Sequence, residues 1–525
     1  MDGPDDPENR AEPLGSFCAD LSILTALALL PPFEYDRVRE SNAEQLNVRV
    51  STLDAEVRKI RSQTTPPADY NGDFQPPTNT DEALALSFSE QYRDDLRYVA
   101  AWARWYEWTG QVWKADQTMQ TFNRARLICR EASAKCNDQE EAGGIASART
   151  VAAVERLARY DRRHAATVEQ WDLDPWLLNT PGGVIDLQTG KMRRHRPEDH
   201  ITKITAIAPG GECPLWLKFL ATVTNGDEER QKFLQRVAGY NLTGSIREHA
   251  LFFYYGTGGN GKGVFLNTIT GIMGDYAAVA SMETFTASQS DRHPTDLAML
   301  RGARLVTAQE TEEGRKWAES RIKAMTGGDP ITARFMRQDF FTFQPSFKLN
   351  IAGNHKPGLR NVDEAIRRRF NLLPFDVKIP PADRNPGLPE ELKAEWPGIL
   401  KWMIAGCLEW QRIGLAPPKA VTDATEEYFE SEDAFGLWFK ECCVDVKNQV
   451  TASYILFKSW TIWAEQAGEY VGSQKRFSQT LSTRGYEKTR VEGNGPDRGK
   501  PAFKGITAAI PVQPVRRDGD TGASS

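Results

Sequence analysis

Phe253-Tyr-Tyr-Gly256-Thr-Gly-Gly-Asn-Gly261-Lys262-Gly263 is the stretch that decides the fold. An apolar run, Leu251 to Tyr255, leads into five glycines within eight residues, and Val264-Phe-Leu-Asn-Thr-Ile-Thr-Gly-Ile-Met then repeats apolar residues at helical spacing. Strand, glycine-rich turn and helix, in that order, outline a phosphate-binding loop in an α/β fold. The backbone of Gly256, Thr257, Gly258, Gly259, Asn260, Gly261, Lys262, Gly263 and Val264 is placed to turn N–H groups toward phosphate oxygens, with the helix N-terminus behind them. Lys262 is placed to reach the β- and γ-phosphates. A plain surface turn is the alternative, and the lysine and its flanks weigh against it. One position departs from the pattern: Gly263 stands where Ser or Thr usually ligates Mg²⁺. Either water fills that place, or the loop binds nucleotide and hydrolyses it poorly.

A triphosphate site needs an acid at the end of a neighbouring strand to hold Mg²⁺ and polarise water. Ala303-Arg-Leu-Val-Thr-Ala-Gln-Glu310 supplies it, with Glu310 the expected catalytic and metal-binding acid; a solvated helix start is the other reading. A second apolar run, Phe347-Lys-Leu-Asn-Ile-Ala-Gly-Asn354, ends in an amide suited to orienting water or, equally, to making a turn. Arg367-Arg368-Arg369 follows. Three consecutive arginines cannot share one helix face, so at least one should seek an anion, such as a phosphate in an adjoining subunit, unless the patch is only solvated.

Taken with Trp176-Leu-Leu-Asn-Thr-Pro-Gly-Gly, Lys323-Ala-Met-Thr-Gly-Gly-Asp-Pro-Ile-Thr-Ala-Arg334 and Pro374-Phe375, these motifs resemble the superfamily 3 helicase part of the phage and plasmid primase-helicase family. The resemblance runs from about Trp171 onward. It implies an AAA+ core that uses ATP and Mg²⁺, a homo-oligomer of hexamer type, and single-stranded and replication-fork DNA as partners. It makes Glu310 part of the Walker B element, Asn354 the sensor, and Arg368 or Arg369 a finger across the subunit interface. Gln309 stands where such motors often carry a second acid. The resemblance also places a translocating hairpin at Ile331 to Phe343, with Arg334 and Arg337 as DNA contacts. Neither an acidic primase motif nor a zinc ribbon is visible, so a helicase without the primer-making part is expected. A nucleotide-gated DNA-binding or initiator protein with little hydrolysis is the alternative.

At 525 residues the chain exceeds one core. Its organisation reads as a small helical module at 1–63, in which Ser51 or Thr52 caps the last helix, and a Pro- and Thr-rich linker at 64–80. A mixed α/β domain at 81–245 precedes the motor at 246–395, followed by a helical segment and winged helix at 396–511 and a tail at 512–525. Leu96 to Lys114 reads as a helix running into a hairpin turned at Thr109-Gly110. Its Trp102, Trp105, Trp108 and Trp113 are suited to stacking on bases, but more naturally form core. Leu177 to Met192 reads as two strands. Asp172 and Asp174 read as loop caps rather than a metal site. From Glu432 a helical run holds Trp438, Trp460 and Trp463, and Ser473 to Arg517 carries ten basic residues against three acidic ones, with Lys475 and Arg476 as candidate DNA contacts. Net charge of −6 excludes a uniformly basic coat, so DNA contact must be local. Leu21 to Leu30 is too short to span a bilayer and lacks a basic start, and seven cysteines form no CxxC pair. The cytoplasm of a bacterial host is the expected location.

Overall fold

The computed structural model describes residues 23–509 other than 25, 29, 31, 64–75, 288–294, 311–313, 337–338 and 360–362; the side chains of 32–33, 58–59, 61–63 and 310 also lie outside the described set. The expected tail and most of the expected linker therefore fall outside it. The fold is mixed α/β, in two units: Met1–Trp105 with Asp116–Ala166, and Tyr106–Ala115 with Thr167–Ser525. No helix among the described residues is long and apolar enough to cross a membrane.

In the first unit, helices Pro32–Gln45 and Val50–Gln63 close over Leu27, Tyr35, Ala43, Leu53 and Val57. Ser51 and Thr52 do not cap the second helix but lie within it: Thr52 and Leu53 already donate to the Arg49 carbonyl, so the helix begins before them. Helices Asp81–Tyr92, Gln120–Lys135, Gln139–Ile145 and Ala148–Ala158 pack around Phe88, Trp105, Ile128, Val151 and Val154. Strands β1 (Leu96–Val99), β2 (Arg104–Trp108), β3 (Trp113–Ala115) and β4 (Ala165–Ala166) come in this part of the chain. The helix expected from Leu96 is thus corrected to strand, 3₁₀ turn and strand. Pairing decides it, since β1 runs parallel to β4 and Tyr98 N–H bonds the His164 carbonyl at 2.6 Å; tertiary partners override local preference. The hairpin β2–β3 pairs Trp108 with Trp113. Trp105 and Trp113 are core residues at 7% and 1% exposure.

In the second unit, Leu177 to Arg193 forms three antiparallel strands, not two: β5 (Leu177–Thr180), β6 (Gly183–Asp186) and β7 (Lys191–Arg193). The unforeseen turn is at Pro181-Gly182. Asp172 accepts from Thr202 N–H at 2.8 Å and Asp174 from Trp176 N–H at 2.8 Å, both holding loops. The central sheet is wholly parallel, built from β8 (Leu251–Tyr255), β9 (Ala277–Val279), β10 (Leu305–Glu310), β13 (Lys348–Gly353) and β14 (Phe370–Pro374) in the order β14-β8-β13-β10-β9. The antiparallel pair β11 (Ile331–Ala333) and β12 (Phe341–Phe343) lies between β10 and β13 in sequence. Burial on both faces explains why these strands read as continuous apolar runs. Phe252 and Tyr254 join a core with Phe265 and Trp216, whereas Leu251 and Phe253 join the opposite core with Trp317 and Tyr428.

Helices Glu228–Leu242 and Trp396–Ile413 cross on the first of these cores. A Cβ at Gly239 would stand 2.1 Å from the Cys407 backbone nitrogen, so only glycine permits this approach. Gly239→Ala is expected to cost about 2 kcal/mol or more, from overpacking against backbone that cannot yield. A fall in melting temperature of roughly 5 °C checks it, and an unchanged melt refutes the close crossing.

Two buried cations fasten the amino ends of the strands. Arg304 donates to the carbonyls of Leu242 at 2.7 Å and Leu177 at 2.8 Å, and Lys348 donates to the Thr243 carbonyl. Both reach the carbonyl-rich end of the helix Glu228–Leu242, where negative dipole accumulates. Burial pushes the Lys348 ammonium well below its usual range.

The C-terminal part follows the order helix Ala434–Cys442, β15 (Cys443–Ala452), helices Ser453–Ala467 and Gln474–Thr483, β16 (Glu487–Arg490) and β17 (Pro501–Ala508). Strand β17 pairs with both β15 and β16. The helical run expected from Glu432 is therefore interrupted by a strand, and its tryptophans Trp438, Trp460 and Trp463 share one core with Phe477, Leu481 and Phe503.

Candidate functional site: the phosphate loop and the ends of three strands

Sheet register brings the site together. Tyr255 pairs with Gly353, and Gly353 pairs on its other side with Glu310, so the carboxyl ends of β8, β13 and β10 form one row. With strands ~4.8 Å apart, the row spans about 10 Å. Loops leaving the carboxyl ends of parallel strands are where α/β folds bind ligands. Here they are the glycine loop, Asn354 and the segment after Glu310. The Glu310 side chain itself lies outside the described residues, so only its place at the end of β10 is stated.

The loop is shaped by close contacts. A Cβ at Gly256 would meet the Asn260 amide at 2.0 Å and the Phe375 carbonyl at 2.2 Å, which pins the start of the turn. Asn260 donates to that carbonyl at 2.7 Å. Gly261, at φ +86°, turns the chain into the helix Lys262–Met273, and its carbonyl accepts from Phe265 N–H at 3.0 Å. Gly263 differs: a Cβ there meets nothing within 4 Å.

Lys262 is 6% exposed. Its ammonium donates to the Gly256 carbonyl, to Asn260 Oδ1 at 3.1 Å and to Asn354 Oδ1 at 3.2 Å. Burial pulls its pKa below the ordinary lysine value. Lysine and amide, far apart in sequence, thus meet at the head of the sheet.

The three arginines have three fates. Arg367 pairs with Glu426 at 2.7 Å and lies over Phe429. Arg369 is 7% exposed, donating to Thr326 Oγ1 at 3.1 Å and to the Ala365 carbonyl at 2.5 Å. Burial lowers its pKa, with neighbouring Arg368 adding to the effect. Arg368 is exposed, and its guanidinium has no ion pair or hydrogen bond among the described residues.

Sequence reasoning missed Arg384. Its guanidinium packs so closely on the loop that a Cβ at Gly259 would stand 2.4 Å from Nη2, while its Nε donates to the Ile379 carbonyl at 2.9 Å. Ile379 N–H in turn bonds the Gly259 carbonyl at 3.0 Å. The local signal is a Pro-rich segment after β14, which says loop but not where the loop goes.

The candidate DNA contacts lie elsewhere. Thr332 pairs with Thr342 in the β11–β12 hairpin, as expected for this segment. Arg334 lies 4.8 Å over the Phe340 ring, and Met336 and Phe340 are exposed; Arg337 is outside the described residues. Lys475 and Arg476 stand exposed in the first turn of the helix Gln474–Thr483.

Residues 85–225 match the family described as D5 N terminal like, and residues 254–369 match a family of unknown function. The chain is 26% identical over 268 residues to 022R of Frog virus 3 (isolate Goorha), provisionally named a helicase, covering 47% of this chain and 27% of that protein. It is 25% identical over 301 residues to L207/L206 of Acanthamoeba polyphaga mimivirus, also provisionally named a helicase, covering 53% and 31%. A provisionally named primase of African swine fever virus (strain Badajoz 1971 Vero-adapted) matches at 23% over 250 residues, covering 46% and 26%. The matched segments thus span under a third of each relative. The apo structure of the NrS-1 C terminal region (305-718) is similar at TM-score 0.42 and 12% identity, over 79% of this chain and 95% of that one. The sequence matches support a relationship to phage and viral primase-helicase proteins.

Proposed function

We propose that the chain is the motor of an ATP-driven DNA helicase, an AAA+ machine of superfamily 3 that works as a hexameric ring on phage, prophage or plasmid DNA in a bacterial cytoplasm. One observation carries the reading: the ends of β8, β13 and β10 stand in a row, with Lys262 hydrogen-bonded to Asn354 across it. β13 lies between the loop-bearing and acid-bearing strands, which sets Asn354 between Lys262 and the end of β10. In this reading the loop amides and Lys262 hold the triphosphate. Glu310 holds Mg²⁺ and activates water, which Asn354 orients, and Arg384 steadies the loop from outside. Arg368, the unpaired member of its trio, acts on the nucleotide of an adjoining protomer. The donor set suits Mg²⁺, which keeps several waters when few protein oxygens are offered.

The order helix, strand, two helices and hairpin in the C-terminal part supports a winged helix, with Lys475 and Arg476 on its exposed helix as phosphate contacts. Arg334 and Arg337 at the β11–β12 tip would face DNA in the ring. Steady-state ATP hydrolysis with and without single-stranded DNA, beside unwinding of a forked duplex, tests the proposal. Stimulation with unwinding supports it, and turnover indifferent to DNA with no unwinding sinks it.

Gly263 favours a second reading, a nucleotide-gated initiator that hydrolyses ATP slowly. Because the space at Gly263 is open, Gly263→Ser adds a hydroxyl without a clash. We expect this variant to raise turnover about 3- to 10-fold at limiting Mg²⁺, about 1 kcal/mol of barrier from a directed metal ligand. Equal rates across a magnesium titration would remove the hydroxyl from the explanation.

A further inference from the structure

The first unit contains a cavity of about 710 Å³ that none of the foregoing uses. Its floor and rim come largely from one face of the helix Ala148–Ala158. That helix buries Val151, Val154 and Ala158, so the opposite face presents Arg149, Ala152, Ala153 and Arg156, with Arg159 just beyond its end. Seven residues separate Arg149 from Arg156, two helical turns, which stacks them on one side. The two alanines between them leave room for a ligand. Arg104 adds a fourth guanidinium from β2.

The cavity also contains carboxylates, but two of the three are already committed. Glu155, 6% exposed, accepts from Trp105 Nε1 at 2.6 Å and from both Nε and Nη2 of Arg159, at 2.8 and 2.7 Å. Asp116 accepts from the N–H groups of Thr118, Gln120 and Thr121 at 3.1, 3.0 and 2.7 Å, closing the start of the helix Gln120–Lys135. Asp81 remains. Arg104, Arg149 and Arg156 are exposed, and their guanidinium groups make no ion pair or hydrogen bond among the described residues. Aromatic rings complete the lining. Trp105 is held in orientation by Glu155, Tyr98 lies 5.5 Å beneath the Arg159 guanidinium, and Phe122 is half-buried.

Guanidinium forks without partners match phosphate oxygens, fixed aromatic rings match a base, and the volume is that of a small-ligand site. We propose that this cavity is a second nucleotide site, separate from the phosphate loop, which takes a phosphate and its attached base. The nucleotide is either free or one unit of single-stranded DNA, since both present the same chemistry.

The test uses the full chain carrying Lys262→Ala, so that binding at the phosphate loop is suppressed. Two further variants are built on it: Arg149→Glu with Arg156→Glu, which reverses charge at the rim, and Ala152→Trp, which fills the floor and leaves net charge alone. All three positions are exposed, and circular dichroism verifies the fold. Binding of a fluorescein-labelled oligo(dT) is followed by anisotropy and binding of ATP by calorimetry. The expected result is a loss of about tenfold or more, in both variants, for one of the two ligands. Loss for the oligonucleotide assigns a strand site, where the salt slope should also fall by roughly 1.4 for two lost phosphate contacts. Loss for ATP assigns a free-nucleotide site. Unchanged affinity for both ligands overturns the proposal. So does loss confined to the charge-reversed variant, which would mean diffuse electrostatics rather than an occupied cavity.

Discussion

Lys262→Ala is expected to lower ATP turnover by at least ~100-fold, the scale found when a preorganised charge facing a developing anion is removed. The ammonium is already desolvated at the head of the sheet, ringed by the Gly256 carbonyl, Asn260 and Asn354. In the proposed site a phosphate would meet a cation whose orientation is set beforehand, and alanine would leave three acceptors facing one another with nothing between. DNA binding should be nearly unaffected, because Lys475 and Arg476 stand on a different helix. Measuring turnover and oligonucleotide affinity on one preparation separates the effects. Retained hydrolysis would dismiss this loop as the site.

The second large effect concerns Arg368. If it completes the site of an adjoining protomer, Arg368→Ala should cut turnover by roughly 10³-fold or more, the range of an arginine acting across an interface. Arg369→Ala should behave otherwise. Its guanidinium is spent on Thr326 and the Ala365 carbonyl, so removing it leaves buried acceptors unmet and lowers the melting temperature. Mixing the two inactive proteins discriminates more sharply. Each protein alone should hydrolyse ATP only weakly, yet random co-assembly would rebuild roughly a quarter of the interfaces with an intact lysine and an intact arginine. Activity should return on mixing. If verified mixed assemblies stay inert, the site does not draw on two subunits.

Much of the site was legible because strand ends announce themselves. The runs ending at Tyr255, Gln309-Glu310 and Gly353-Asn354 are apolar on both faces and stop at polar residues, as buried parallel strands do. What no linear reading supplies is lateral order. That β13 separates β8 from β10, and so brings Asn354 to Lys262, depends on pairing between segments far apart in sequence. The arginine trio shows the same limit, since Thr326 and Glu426 decide which guanidinium stays unpaired and neither is a sequence neighbour. Arg384 was hidden for that reason too. Leu96–Val99 was misread because helix-forming Ala100-Ala-Trp follows it, and only pairing with Ala165–Ala166 reveals a strand. The strand Cys443–Ala452 was lost between two tryptophan-bearing helices whose periodicity masked the break.

The bonds that Lys262 makes also bear on which anions the proposed site would favour. The lysine is latched to its own loop and to Asn354, so any newcomer must evict those acceptors before it gains a cation. A lone orthophosphate would offset that loss with few contacts, whereas three linked phosphates spread along the loop amides would offset it with more. In the proposed site, such a latch would favour long phosphate chains over small anions.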